Sequence, residues 1–192
     1  MDIKEAASRI GGRFEMIAGD GAKALKKLNL PESAKVLDVG TGAGNFAIFL
    51  ALQGYDVITG EPTTDTSHYA GKDWAQKAAL VGMEDRIVFQ PFDAGAIPFA
   101  PGSFDAVFFF GVLHHIDEAI RADVFREALR VTKPGGAVVY FEPSAKMLET
   151  IHIDDPTHPP AALPSAYADG LPVRESRLQG AMMDIYIFKP AS

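Results

Sequence analysis

The chain contains no cysteine. That removes disulfides, thiolate metal sites and cysteine nucleophiles together. It has one tryptophan and no excess of base: 18 lysines and arginines face 25 acids, for a net charge of −7. The basic residues are scattered, so nucleic acid is not an expected partner. Long apolar runs are missing as well. The longest, Ala106 to Leu113, falls far short of the roughly 20 residues that span a bilayer. The first residues, Met1-Asp2-Ile3-Lys4-Glu5, show no apolar leader segment. The expectation is a cytoplasmic protein with no membrane attachment. What is present, 192 residues with 47% apolar and 22% charged content, suits one globular domain with a buried core.

Local pattern centres on Val36-Leu37-Asp38-Val39-Gly40-Thr41-Gly42-Ala43-Gly44-Asn45, followed by Phe46 to Leu50. A short apolar run with an acid, alternating glycines and a helical apolar pattern reads as buried strand, tight turn and helix start. Glycine serves where φ turns positive and where a ligand must approach the backbone. The N–H groups at the helix start would face that ligand. Gly42 to Ala47 also satisfies the dinucleotide pattern G-x-G-x-x-G/A in a shifted frame. Asp38 argues against a pyrophosphate: two like charges about 4 Å apart repel by roughly 4 kcal/mol at an effective dielectric near 20. A nucleoside with a cationic group near the turn reverses that sign.

Asp38-Val39-Gly40-Thr41-Gly42-Ala43-Gly44 resembles the first motif of class I S-adenosylmethionine-dependent methyltransferases, and the resemblance extends to about residue 142. It implies cofactor contacts at Asp38, Gly40, Thr41 and Gly42. Strand Tyr55 to Gly60 ends beside Glu61, placed beyond the carboxyl end to accept both ribose hydroxyls. The family carries an acid there; Gly60-Glu61-Pro62-Thr63 departs from its frequent V-D-x-S, and Pro62 is taken with Glu61 as part of the site. Phe92-Asp93-Ala94-Gly95-Ala96-Ile97-Pro98-Phe99, then Gly102-Ser103-Phe104-Asp105, is similar to the family's G-D-A-x-x-L-P-F…G-S-F-D segment. By that resemblance Asp93 accepts from the adenine amino group, and the Ala94 N–H reaches a ring nitrogen. Gly111-Val112-Leu113-His114-His115-Ile116 carries an L-H-H-I tail like the family's, with backbone near Gly111 against the methionine part of the cofactor. Leu129 to Gly136 matches a structural motif.

The resemblance implies an α/β fold: a three-layer, doubly wound, Rossmann-like sheet of seven strands, mostly parallel, with an antiparallel C-terminal strand. It implies S-adenosylmethionine as cofactor, S-adenosylhomocysteine as product, and a small-molecule acceptor whose identity is not written in the sequence. No N-P-P-Y-like stretch follows the fourth strand, which weighs against an adenine or amide nitrogen. No catalytic residue is assigned. Two alternatives stand: a non-catalytic relative that keeps the cofactor pocket, and an NAD-dependent oxidoreductase using the shifted glycine frame.

One domain, 1–192, is expected in four parts. Residues 1–33 form a helical cap of two short helices, broken at Gly11-Gly12 and at Gly19-Asp20-Gly21, serving either as packing or as a lid. Residues 34–143 form the cofactor-binding core, 144–170 a variable loop, and 171–192 a hairpin hinged at Gly180-Ala181. Thr63 to Thr66 are expected to cap a helix through Trp74 and Leu80. Adjacent His114 and His115 should point apart, which opposes joint metal ligation; whether either serves as a base stays open. His152, Asp154, Asp155 and His158 match no metal spacing, so no metal is expected. The 144–170 stretch is expected to contact or cover the acceptor. Oligomeric state is not readable.

Overall fold

The sheet grows from strands whose side chains are buried on both faces. Val36–Val39 (β1) is buried at every position, and Phe104–Phe110 (β4) is buried at five of its seven. Such strands belong at the centre of a parallel sheet covered on both sides. The computed structural model, which describes every residue except 66–69, 71–72 and 192, supplies the remaining elements. Helices are α1 (Ile3–Ile10), α2 (Phe14–Leu28), α3 (Asn45–Leu52), α4 (Trp74–Leu80), α5 (Glu118–Val131) and α6 (Ala145–Asp154). Further strands are β2 (Val57–Gly60), β3 (Ile87–Phe89), β5 (Thr132–Pro143), β6 (Val173–Gln179) and β7 (Met183–Pro190).

The seven strands lie in the order β3-β2-β1-β4-β5-β7-β6. Pairing is parallel from β3 through β5, while β7 runs antiparallel to both β5 and β6. This is the expected doubly wound sheet. From β1 the chain builds outward to β3, then returns to lay β4 on the other side of β1. The crevice above that reversal is where ligands of open α/β sheets bind.

Two apolar clusters cover the two faces. One joins α1, α2 and α3 to the sheet, with Phe46 at its middle; the Phe46 ring lies 5.4 Å from Phe108, 4.8 Å from Phe110 and 5.1 Å from Phe141. The other packs α5 through Val124, Phe125, Ala128 and Val131 onto Val107, Phe109, Val138 and Tyr140. Helix α3 is buried at every position from Phe46 to Ala51, because α2 covers its outer side.

Four local expectations are corrected. Gly11 and Gly12, with φ of 68° and 65°, do separate two helices, but α2 runs unbroken through Gly19-Asp20-Gly21. Gly21 is there for closeness: a Cβ would lie 2.4 Å from Phe49 Cε1. Asp20 is completely buried and accepts from the N–H groups of Ala181, Met182 and Met183 at 2.5, 2.9 and 2.9 Å. It bolts α2 to the β6–β7 turn. The 144–170 stretch is partly helical, since Ser144 Oγ caps α6 by accepting from Met147 N at 3.3 Å. Strand β5, expected from Ala137 to Phe141, begins already at Thr132 by way of a register shift opposite Phe104 and Ala106. Helix α4 starts only at Trp74; Thr66, one of its expected capping residues, lies outside the described residues. The C-terminal hairpin is present, closed by Gly180 N donating to Met183 O at 2.8 Å.

Candidate active site

A cavity of about 760 Å³ opens at the carboxyl ends of β1, β2 and β4, within the range of roughly 300–1,000 Å³ usual for small-molecule sites. Its floor is the glycine turn. Gly40, Gly42 and Gly44 take φ of 87°, 47° and 74°, the left-handed region that side chains avoid. Gly40 N donates to Gly60 O at 2.8 Å, which ties the turn to the tip of β2. A Cβ on Gly40 would lie 2.5 Å from Val112 Cγ2, so this backbone passes directly under the loop after β4.

Gly40, Thr41, Gly42, Glu61, Pro62, Asp93, Ala94 and Gly111 all line the cavity. Glu61 is half-buried, and its Oε2 accepts from Gly42 N at 2.8 Å. The turn and the acid at the next strand tip are therefore one unit. Asp93 is exposed to the cavity and holds its own loop by accepting from Gly95 N at 2.7 Å. Gly111 has φ of 69° and donates to Phe141 O at 2.8 Å, which fixes the bend after β4.

Asp38 is placed differently. It is 1% exposed and does not line the cavity. Its side chain lies beneath the turn, where Thr59 Oγ1 donates to Oδ2 at 2.8 Å and Thr41 Oγ1 lies 2.9 Å from Thr59 Oγ1. Oδ1 has no hydrogen-bond partner among the described residues. Burial pushes the carboxyl up to about 7, the Thr59 hydrogen bond opposes this, and repulsion from Glu61 adds to it. At the strand tips the acids that line the cavity are Glu61 and Asp93, with Asp65, Asp73 and Asp117 elsewhere on its wall; Asp38 braces the turn from behind.

The opposite end of the cavity is built by parts that local pattern did not join. Arg13 enters from the N-cap of α2 and Ile17 from α2 itself, Met147 and Ile151 from α6, Met182 from the turn before β7 and Met183 from its first position, and Ile120 from α5. Helices α2 and α6 therefore wall the cavity as well as pack. His114, His115 and His158 meet here, with ring centroids 4.2 Å (114–115), 5.1 Å (114–158) and 5.0 Å (115–158) apart. His114 and His115 do not diverge as expected. The Leu113–His115 segment is one turn of 3₁₀ helix, and it sets the two rings side by side.

His114 is buried, with Nδ1 2.9 Å from Glu142 Oε2. That same oxygen accepts from Ala162 N at 2.8 Å, while Glu142 Oε1 has no partner among the described residues. Desolvation first, then repulsion from His114 and His158, holds His115 down at about 4; Asp65 and Asp155 pull the other way. His158 is lowered by desolvation, against the opposing hydrogen bond to Pro159. Glu142 was missed at the sequence level, although an acid closing a buried apolar strand is itself a signal. Asp20 was missed because it looked like part of a helix break.

The residues present fit an adenosyl ligand. The wall offers carboxylate acceptors at two strand tips, and glycine brings backbone close at the third. Among the described residues the wall has two permanent cations, Arg13 and Lys77, and neither sits in the glycine turn.

Comparison with known proteins agrees. Residues 37–140 match the family described as methyltransferase domain. The chain is 34% identical over 134 residues to 27-O-demethylrifamycin SV methyltransferase of Amycolatopsis mediterranei, covering 70% of this chain and 44% of that protein. It is 35% identical over 122 residues to the ubiquinone/menaquinone biosynthesis C-methyltransferase UbiE of Geotalea daltonii, covering 62% of this chain and 49% of the relative. The chain thus spans about half the length of these curated relatives, or less. Among solved structures, a Methanococcus maripaludis protein assigned to the S-adenosyl-L-methionine-dependent methyltransferases superimposes with a TM-score of 0.73 at 17% identity, covering 98% of this chain and 90% of that one. That likeness speaks for the fold.

Proposed function

The chain belongs to the class I S-adenosylmethionine-dependent methyltransferases, and from that premise we propose that it moves a methyl group from S-adenosylmethionine to a small-molecule acceptor. The observation that carries this reading is the coupled turn and acid: Gly42 N–H on Glu61 Oε2, at the lip of a cavity whose far end is apolar and histidine-lined. Glu61 and Pro62 hold the ribose, Asp93 and the Ala94 N–H hold the adenine, and the backbone of Gly40, Thr41, Gly42 and Gly111 flanks the methionine part. Asp38 supports the turn without touching the ligand.

When bound, the cofactor supplies a methyl group already activated by its sulfonium charge. What the chain contributes is alignment. Phe110 at the end of β4, Val112 in the loop after it, Phe46 and Met183 line this part of the cavity and would keep water from the reacting carbon. Holding nucleophile and methyl in line can account for several orders of magnitude in rate. The acceptor occupies the space between Met147, Ile151, Ile120 and the three histidines.

Two curated relatives with this similarity are named as acting on small molecules, a rifamycin and quinones; this supports the acceptor class. No helix among the described residues is long and apolar enough to cross a membrane, which suits a cytoplasmic location as part of the same proposal. The test is calorimetric titration with S-adenosylhomocysteine and, separately, NADH. Saturable one-to-one binding of the former is expected. Binding of NADH alone makes the chain an oxidoreductase instead, and cofactor binding without turnover across a broad panel of hydroxyl, phenol and carbon acceptors makes it a non-catalytic relative.

A further inference from the structure

We infer that His114, His115 and His158 form a binding site for a divalent cation of the zinc class at the acceptor end of the cavity. The three residues offer ligand atoms that all lie within 4.8 Å of one another. Their ring centroids are 4.2 to 5.1 Å apart. With a metal–nitrogen bond of about 2.1 Å and tetrahedral angles, three ligating imidazoles stand roughly 5 Å apart, centroid to centroid. The rings thus already sit near metal-binding separation. Closing the nitrogens from within 4.8 Å to the roughly 3.4 Å of a tetrahedral site takes side-chain movement of up to about 1.4 Å.

The outer hydrogen bonds supply a second and independent argument. A metal-binding histidine donates its other N–H to a carboxylate or a backbone carbonyl, which fixes the tautomer and aims the ligating nitrogen. His114 Nδ1 lies 2.9 Å from Glu142 Oε2, and that oxygen already accepts a backbone N–H, so Nδ1 is the donor and Nε2 carries the lone pair. His158 Nδ1 lies 2.9 Å from Pro159 O. A carbonyl only accepts, so Nε2 of His158 carries the lone pair too. The backbone of His158 is held in turn, its carbonyl accepting from His152 Nε2 at 3.0 Å. Two of the three rings therefore carry the tautomer that ligation through Nε2 requires, one held by an acid on β5 and one by the segment after α6.

Three imidazoles with no thiolate suit zinc, nickel, copper or ferrous iron rather than magnesium or calcium. Three protein ligands leave a fourth position, the arrangement of sites that act on a substrate rather than merely brace a fold. Because the cluster lines the cavity, that position would take an oxygen or nitrogen donor of the acceptor. This last use rests on the methyl-transfer reading above; the metal site itself does not.

The test uses the full chain with any affinity tag removed. Zinc chloride is titrated by calorimetry, cobalt(II) is followed by its visible absorption, and S-adenosylhomocysteine is titrated in a separate run. One-to-one zinc binding is expected, with cobalt bands of a four-coordinate nitrogen site. His115→Ala and His158→Ala should each weaken zinc binding at least about 100-fold and abolish the bands, while Glu142→Gln, acting through His114, should weaken it about 10- to 100-fold. Circular dichroism and thermal midpoints verify that each variant is folded. Absence of saturable zinc binding in the wild type overturns the site. So does binding that survives both histidine substitutions, which marks an adventitious ion only. Zinc binding without S-adenosylhomocysteine binding overturns the functional reading and leaves the metal site standing.

Discussion

Replacing Asp38 by asparagine should remove the pH dependence that this one buried acid imposes on folding. The carboxyl sits 1% exposed, with Thr59 donating to one oxygen and no partner on the other. Desolvation is the main cause that lifts it from its ordinary 3.8 to about 7. A raised acid pKa means that the folded chain keeps a proton which the unfolded chain has already lost. The stability this proton confers is complete below about pH 4 and is lost as pH rises toward 7, at up to about 1.4 kcal/mol per unit. Across the roughly three-unit window the loss comes to about 4 kcal/mol. Asparagine does not titrate, so it escapes that loss. It pays instead for amide donors placed where Oδ1 lacks a partner, about 1–3 kcal/mol at every pH. Urea unfolding of both proteins at half-unit steps from pH 4.5 to 8 gives the difference curve, in which all other titrations cancel. The two curves should cross between about pH 4.5 and 6, and the variant should be the more stable by about 1–3 kcal/mol near pH 7. A difference that stays flat across the range would refute the elevated carboxyl.

The remaining predictions concern the cavity and its supports. Glu61→Ala should weaken S-adenosylhomocysteine binding by one to two orders of magnitude, about 1.4 kcal/mol for each. Glu61→Gln should lose less, since an amide oxygen can still accept from Gly42 N; unchanged calorimetric affinity in both removes Glu61 from the site. Gly40→Ala meets both a positive φ of 87° and Val112 at 2.5 Å, so a loss of about 2–4 kcal/mol is expected by urea unfolding. A change under about 0.5 kcal/mol would show that the turn is looser than drawn. Asp20→Ala strands the N–H groups of Met182 and Met183 in the interior and should cost about 3–5 kcal/mol. Hydrogen exchange should then speed up first in the Ala181–Met183 turn, and protection unchanged there would refute the clamp.

The cofactor half of the cavity was legible because its instructions are local. A strand, a glycine turn and a helix start lie within ten residues, and the acid that serves them follows one strand later. The glycine turn and Glu61 follow from the rule that ligands sit at strand tips, while Asp93 and Gly111 were legible through their resemblance to family motifs. The acceptor half was not legible. His114 precedes β5 in the chain and His158 follows it, and nothing in either neighbourhood specifies the other. The sequence by itself carried the strands, turns and helices of the core, since hydrophobic period and turn chemistry act over a few residues, and it carried the sheet and the candidate cofactor residues through their resemblance to a family. Only tertiary structure decided that Asp38 faces the interior, that Asp20 bolts a helix to a hairpin, and that three histidines converge over Glu142. Each depends on which strands pair and at what register, and that choice is made by the burial of the whole core rather than by any one segment.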